Sequence, residues 1–168
     1  DRSFYVETPH LDIAPIVSRI SLPSAVSSMT GDLTDVALTV TQRGGFWYGE
    51  GGLSFQNVGT TLQGYRLTSG KGTLQIHGDV LFLDGIEANV NDEHLRVSGT
   101  VHHVFDEDPT LHVNVGLKEW NLASQLPLTG TITAEALLTG PVSNVKASGD
   151  VEVRDLAYEG ITVNRGKA

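Results

Sequence analysis

The residues best suited to chemistry in this chain are histidines and carboxylates, but their spacing does not form a reactive set. His102 and His103 stand shortly before the acidic run Asp106–Asp108, a combination that resembles a metal site. Adjacent histidines in a strand point to opposite faces, so they do not readily bind one ion. We therefore interpret this segment as a solvated strand end followed by an acidic turn.

No other residue pattern predicts catalysis or a cofactor. The chain has no cysteine, which excludes disulfides and thiolate chemistry. It contains no nucleophile elbow, P-loop or dinucleotide-binding fingerprint, and acidic pairs such as Asp92-Glu93 fall in turn contexts. We expect a protein that is not an enzyme, with no catalytic residues, no metal-binding residues and no cofactor.

Charge and length narrow the class of partner. The formal net charge is −9, and the 11 basic residues are scattered along the 168-residue chain. Nucleic-acid binding and anchoring to anionic lipid both require clustered Lys and Arg, so neither is expected. No run approaches the ~18 apolar residues of a membrane span. A first residue other than Met suggests a piece excised from a longer protein.

Short stretches in which apolar and polar residues alternate follow one another from Thr30 onward. The clearest, Leu128–Val153, predicts two strands joined by a Gly140-Pro141 turn. Leu74–Phe82 reads as one continuous strand that ends at the turn signal Asp84-Gly85. Close, regular turns of this kind are typical of an antiparallel meander.

The N-terminal segment breaks this pattern. Phe4–Leu11 predicts an opening strand, and Ile13, Ile16 and Ile20 then fall at helical spacing with Pro15 suited to a first turn. We expect one short helix, approximately residues 14–22, that flanks the sheet.

An internal repeat appears when the chain is aligned with itself. Met29–Leu38 resembles Leu128–Leu137, 99 residues later, and Leu11–Ala14 resembles Trp120–Ala123. Later segments match in the same order: Leu53, Phe55, Asn57 and Val58 resemble Val151, Val153, Asp155 and Leu156, and Gly64–Gly72 resembles Gly160–Ala168. We predict a first repeat at about 4–110 and a second, partial repeat at about 111–168, within a longer array.

Four glycines stand between apolar residues within predicted strands, and they suggest how the sheet is shaped. If Gly78, Gly99, Gly130 and Gly149 align across neighbouring strands, they form a crease along which the sheet folds. One short helix cannot cover the apolar side of so many strands, so we predict an all-β antiparallel meander curled into a U-shaped hydrophobic trough. The alternative is a flat sheet packed on a second sheet.

Such a trough suits lipid acyl chains, because covering apolar surface is worth ~25 cal/mol per Å². The aromatic cluster Phe46-Trp47-Tyr48 is either a lip that contacts lipid or a hairpin packed on its own sheet, with Trp47 on the opposite face from its two neighbours. The expected lining residues are Leu53, Phe55, Leu67, Leu74, Ile76, Val80, Phe82, Leu95, Val97, Val101, Leu111, Val113, Val115, Leu117, Leu128, Ile132, Val151 and Val153.

Two stretches carry a resemblance to a known family. LDIAPIVSRISLPS followed by MTGDLTDVALTV, and WNLASQLPLTGTITAEALLTGPVSNVKASGDVEVRDLAYEGITV, resemble the repeats of the TamB and AsmA-like family. Where the second copy has Gly140-Pro141, the first has TQRGG at 41–45, so that turn departs from the family pattern.

The resemblance implies a segment of a periplasmic protein that is anchored in the inner membrane of a diderm bacterium. Members form a curled sheet called a β-taco, are similar to bridge-like lipid transfer proteins, and none of their residues is catalytic. It further implies phospholipid transport between the two membranes, support of outer-membrane protein assembly, or both, with an outer-membrane barrel partner that other parts of the parent chain contact.

A different class of function remains open. A secreted adhesin or autotransporter-like β-domain that binds glycan or protein would also be rich in strands, although a solenoid would show a much shorter repeat of ~20–30 residues. The open strand edges at both ends of the predicted sheet also make edge-to-edge self-association of this fragment possible.

Overall fold

The computed structural model describes residues 2–17, 26–62, 65–121, 129–158 and 161–167. These residues form one antiparallel sheet in which ten strands follow one another in chain order. The predicted all-β antiparallel meander is therefore confirmed. The strands are β1 (Arg2–Asp12), β2 (Val26–Arg43), β3 (Phe46–Leu62), β4 (Tyr65–Gly78), β5 (Val80–Val90), β6 (Glu93–His102), β7 (Thr110–Asn121), β8 (Thr129–Pro141), β9 (Lys146–Tyr158) and β10 (Ile161–Lys167).

The pairing register separates an apolar face from a polar face. Residues directly opposite each other on paired antiparallel strands lie on the same face. Val97, Val115 and Ala136 lie opposite one another in β6, β7 and β8, and the side that carries them is the apolar face. Arg96 and Glu135 lie on the other side, the polar face, in line with Gly116 between them. Alternation in the sequence thus becomes a two-sided sheet.

The sheet is a single open layer. It is neither closed nor strongly curled, so the predicted U-shape is not seen. The accessible surface is 10807 Å², whereas a compact monomer of 18.0 kDa would expose roughly 8,000 Å². The excess follows from the missing second layer: in the part of the chain that is described, every strand pairs only with its neighbours in sequence.

The predicted N-terminal helix is reduced to a single turn, Ala14–Val17, in the described residues. The Asp12 carboxylate accepts a hydrogen bond from the Ala14 N–H at 2.9 Å, which begins this turn. The neighbouring Ile13 N–H donates to the Gly31 carbonyl oxygen at 3.0 Å, which ties the turn to β2. Residues 18–22 of the predicted helix lie outside the described residues.

The strand predicted from Leu74 to Phe82 is wrong, because it is two strands. A hairpin turns at Gly78 and Asp79, and the positive φ of +66° at Gly78 suits a tight turn that glycine adopts without strain. The predicted turn at Asp84-Gly85 is instead an irregularity inside β5, where the register shifts between Leu83 and Ile86.

The predicted glycine crease is also not formed. Gly99 lies opposite Leu83 and Val113, whereas Gly149 lies opposite Ala136, so these glycines occupy different rows of the sheet. Gly78 belongs to the β4–β5 turn. The pairing is interrupted instead at β-bulges, several of which have a residue other than glycine in the left-handed region. A bulge of this kind bends a strand locally and increases its twist. These bulge residues are Asp35, Asn57, Ser69, Glu119 and Asp155, with φ between 51° and 56°.

The β8–β9 connection lies just after the predicted turn. β8 continues to Pro141, and a 3₁₀ turn, Val142–Asn144, reverses the chain. The Asp108 carboxylate accepts hydrogen bonds from the Ser143 N–H at 2.9 Å and the Ser143 hydroxyl at 2.6 Å. These bonds lower the pKa of Asp108 below its ordinary value and hold the β6–β7 loop against the turn.

Two pairs of positions matched by the internal repeat share the same backbone geometry. Gly31 and Gly130 both have φ of +134°, and a β-carbon on either would crowd the next strand, at 2.8 Å from the Cα of Val58 and 3.0 Å from the Cα of Leu156. Val58 and Leu156 are themselves matched in the sequence. The bulge residues Asn57 and Asp155 precede them with φ of 54° and 51°. The boundaries of the repeats stay a prediction.

Candidate functional surface

The apolar face brings most of the predicted lining residues onto one side. Leu53 lies opposite Leu74, and Leu95 lies opposite Leu117. In β8 and β9, Ile132 lies opposite Val153. By the register, all the predicted lining residues share this face except Val80, Phe82 and Leu128, the last of which lies outside the described residues.

Val80 and Phe82 lie on the polar face, which corrects their predicted placement. Val80 pairs with His77 and Phe82 with Gln75, because the hairpin after β4 reverses which residues of β5 point to each side. The apolar face receives other residues of β5 instead, and sequence reasoning missed them. Gly78-Asp79 is a two-residue hairpin signal that would have found them. The missed residues are Leu81, Leu83, Ile86 and Ala88.

Side chains of the apolar face cover one another laterally. Val113, the fourth residue of β7, is only 6% exposed although no second layer lies over it among the described residues. Large side chains also lie over glycines: a β-carbon at Gly72 would come within 2.8 Å of the Ile86 side chain and 3.1 Å of the Phe55 ring. This lateral packing replaces part of the burial that an opposing layer would give.

The aromatic cluster after the first hairpin has the predicted alternation. Trp47 lies opposite Gln42 on the apolar face, and Phe46 and Tyr48 lie on the polar face. The Phe4 ring stacks on Trp47 with their centroids 6.3 Å apart and an interplanar angle of 29°. Phe4 and Trp47 therefore form a stacked aromatic pair at one end of the apolar face.

Charged pairs between strands lie on the polar face. The Glu87 carboxylate forms ion pairs with Lys71 Nζ at 3.0 Å and with Arg96 Nε at 3.5 Å, from the strands on either side. The hydrogen bond from Lys71 holds the pKa of Glu87 below its ordinary value. A further cross-strand pair joins His77 to Glu50 at 2.9 Å. The ion pairs seen in the described part of the chain lie on this face or in turns, so the apolar face carries none of them.

A broad groove of about 570 Å³ crosses five strands, β5 to β9, and it also lies on the polar face. Its side chains come from two rows, with Arg96 and Glu135 in one and Ser98 and Asn114 in the other. Glu135 lies directly opposite Asp150, so two carboxylates face each other across β8 and β9. The sequence predicts a trough on the apolar face, whereas the groove seen in the structure lies on the polar face.

The histidine segment forms ordinary contacts at strand ends. His103 Nδ1 is 2.8 Å from an Asp79 carboxylate oxygen, and His102 Nε2 is 3.1 Å from the Thr100 hydroxyl. Within the described ranges, no group of three or more His, Asp or Glu side chains is placed to hold a metal ion. Those ranges likewise contain no helix with the length and apolarity needed to cross a bilayer.

Comparisons with known proteins give no assignment. No protein-family model, no curated protein and no solved structure matched this chain. The resemblance to TamB and AsmA-like repeats therefore stays a prediction, and the structural feature that bears on function is the contrast between the two faces of the sheet.

Proposed function

We propose that the apolar face of this sheet binds the acyl chains of lipids while their polar groups remain outside. One observation carries the proposal: each of the nine strands from β1 to β9 places apolar side chains on the same face, and no second layer of described residues covers that face. A broad apolar surface that no further layer covers is typical of a site that binds lipid or another protein. An alkyl chain would cover it without requiring a hydrogen-bonding partner.

Among the described residues, the apolar face carries no ion pair, which supports an apolar occupant. Charged pairs such as Lys71–Glu87 keep to the other side, so an alkyl chain on the apolar face would not desolvate them. We further propose that the sheet bends around its occupant at the β-bulges, which would give the U-shaped trough. On this proposal the chain is a non-enzymatic segment of a periplasmic lipid-transport protein of a diderm bacterium.

Paired photocrosslinking positions on opposite faces test the proposal. Leu111 and His112 are neighbours in β7, with Leu111 on the apolar face and His112 exposed on the polar face. Leu81 and Phe82 form the same kind of pair in β5. A photoreactive residue at Leu111 or Leu81 should form adducts with phospholipid vesicles of neutral headgroup, and one at His112 or Phe82 should not.

The comparison of the two faces distinguishes acyl-chain binding from nonspecific adsorption of lipid. Equal adduct formation on both faces, or adducts at His112 alone, would contradict the proposal. Native mass spectrometry of the purified chain gives a second measurement, in which bound lipid should be released by substituting Leu81→Lys and retained in the matched variant Phe82→Lys.

The groove on the polar face favours a second candidate, the binding of a glycan or a protein segment by an adhesin-like domain. Hydroxyl and amide groups of Ser98, Asn114 and Ser148 converge there and can donate and accept hydrogen bonds. If the chain binds a glycan or a protein segment, and if this binding is lost in Asn114→Leu but unaffected by Leu81→Lys, the result would favour this candidate over lipid binding.

A further inference from the structure

The outer edge of β1 has no partner strand in the described part of the chain, since β1 pairs only with β2. Three consecutive large side chains, Phe4, Tyr5 and Val6, are 59%, 63% and 50% exposed there. The run Arg2–Thr8 pairs with β2 without interruption, and no proline lies within it. An apolar strand edge without a bulge or proline is a template for another strand.

β1 has the same place in the first predicted repeat as β7 has in the second. Leu11-Asp12 at the end of β1 matches Trp120-Asn121 at the end of β7. Leu11 lies opposite Leu33 in β2, and Trp120 lies opposite Ile132 in β8. Leu33 and Ile132 are equivalent positions of the internal repeat, so β1 stands to β2 as β7 stands to β8.

Counting back from this match places Phe4 and Val6 at the positions of Val113 and Val115. All four side chains lie on the apolar face, so equivalent residues of β1 and β7 lie on the same face of the sheet. In β7, the edge that corresponds to the free edge of β1 is filled by β6.

The contacts of β6 with β7 show which residues a strand needs in order to pair with such an edge. Gly99 lies opposite Val113, and Val97 lies opposite Val115. A β-carbon at Gly99 would overlap the carbonyl oxygen of His112 and lie 2.9 Å from the Cα of Val113. Only glycine fits at this point without separating the two strands.

We propose that the outer edge of β1 is an acceptor site for an extended segment with the chemistry of β6. The segment has the pattern apolar-x-Gly-x-apolar, with its glycine opposite Phe4 and its preceding apolar residue opposite Val6. Binding is by strand addition, in which backbone hydrogen bonds give affinity and alternate side chains give specificity. This inference is independent of lipid binding.

Charge complementarity supports a β6-type strand over other occupants. Arg96 lies opposite Gly116 in β7, and the position equivalent to Gly116 in β1 is Glu7. Both Arg96 and Glu7 belong to the polar face. An arginine in the incoming strand would therefore lie opposite the Glu7 carboxylate of β1, whereas Arg96 lies opposite a glycine in β7.

A synthetic peptide with the sequence of residues 93–102 tests the site on the intact 168-residue chain in the absence of lipid. Fluorescence anisotropy should show saturable binding of the labelled peptide. The peptide carrying Gly99→Val should bind at least about tenfold more weakly, because a β-carbon there strains the backbone pairing. A photoreactive group at the Val97 position of the peptide should crosslink to β1 near Val6.

A charge exchange fixes the register. The peptide carrying Arg96→Glu should bind roughly two- to fivefold more weakly to the chain, and Glu7→Arg in the chain should restore its binding. Absence of saturable binding, undiminished binding of the Gly99→Val peptide, or crosslinks on β9 or β10 would each overturn the proposal. Concentration-dependent dimers that the peptide does not dissociate would assign the edge to a second copy of the chain instead.

Discussion

At the scale of single residues, the position of each side chain across the sheet decides its role more than its chemical type does. Leu81 and Phe82 are both apolar and adjacent, yet one shares the apolar face with Leu83 and the other lies 42% exposed among polar neighbours. Glycines differ in the same way. Gly99 is required by the neighbouring backbone, whereas a β-carbon at Gly116 would make only an ordinary van der Waals contact.

This contrast gives a prediction about stability. Gly99→Ala should lower the free energy of unfolding by roughly 2 kcal/mol or more, because φ is +136° and the added carbon meets the backbone of β7. Gly116→Ala is the matched control, since the nearest atom, the Arg96 Cβ, is 3.8 Å away. It should change stability by no more than about 0.5 kcal/mol. Urea unfolding followed by circular dichroism measures both, and equal effects would contradict the close approach at Gly99.

At the scale of elements, hairpins and the hydrogen bonds that join them define the sheet. The meander was predictable because alternation and turn residues act over a few neighbouring positions. The exact hairpin at Gly78-Asp79 was missed because a second turn signal, Asp84-Gly85, stands close by and forms a bulge instead. Only the pairing of β5 with β4 and β6 distinguishes these two uses of glycine.

The bond between Asp108 and Ser143 predicts a pH dependence of stability. The pKa of Asp108 is lowered in the folded chain, so its stabilising effect is present above the unfolded value of 3.8 and is lost as the pH falls through the lower folded pKa. Ser143→Ala removes the hydroxyl donor of one of the two hydrogen bonds and keeps the N–H donor of the other, so it should reduce this loss. Thermal unfolding between about pH 6 and pH 3 measures the effect.

Asp108→Asn provides the complementary measurement. It should be less stable than the unsubstituted chain at neutral pH. The difference should shrink as the pH falls below about 4, where Asp108 takes up a proton first in the unfolded chain and then, at lower pH, in the folded chain. A difference that stays constant across this range would show that the carboxylate charge does not hold the loop against the turn.

At the scale of the whole molecule, the sheet leaves more surface in water than a compact protein of its mass. The folded chain exposes 10807 Å², so less surface remains to be exposed when it unfolds. The urea m-value should therefore be about 15% lower than that of a compact domain of the same length. Equilibrium unfolding measured by two independent probes checks this, and an m-value at or above the compact expectation would indicate a second layer over the apolar face.

The sequence by itself determined the class of fold, the alternation of the faces and the matching of segments such as Leu53–Val58 with Val151–Leu156. These features depend on short-range spacing, and the bulges at Asn57 and Asp155 show that matched residues adopt matched backbone. Most of the apolar face was also predictable, since side chains alternate along any strand.

The tertiary structure alone decided how the strands lie against one another. Whether Gly78, Gly99, Gly130 and Gly149 would align depended on the register of strands whose lengths and bulges the sequence does not specify locally. Whether the sheet would curl depended on the sum of twists over ten strands. A one-residue bulge exchanges the side chains on the two faces of a strand beyond it, so the final arrangement depends on every bulge and pairing in the assembled sheet.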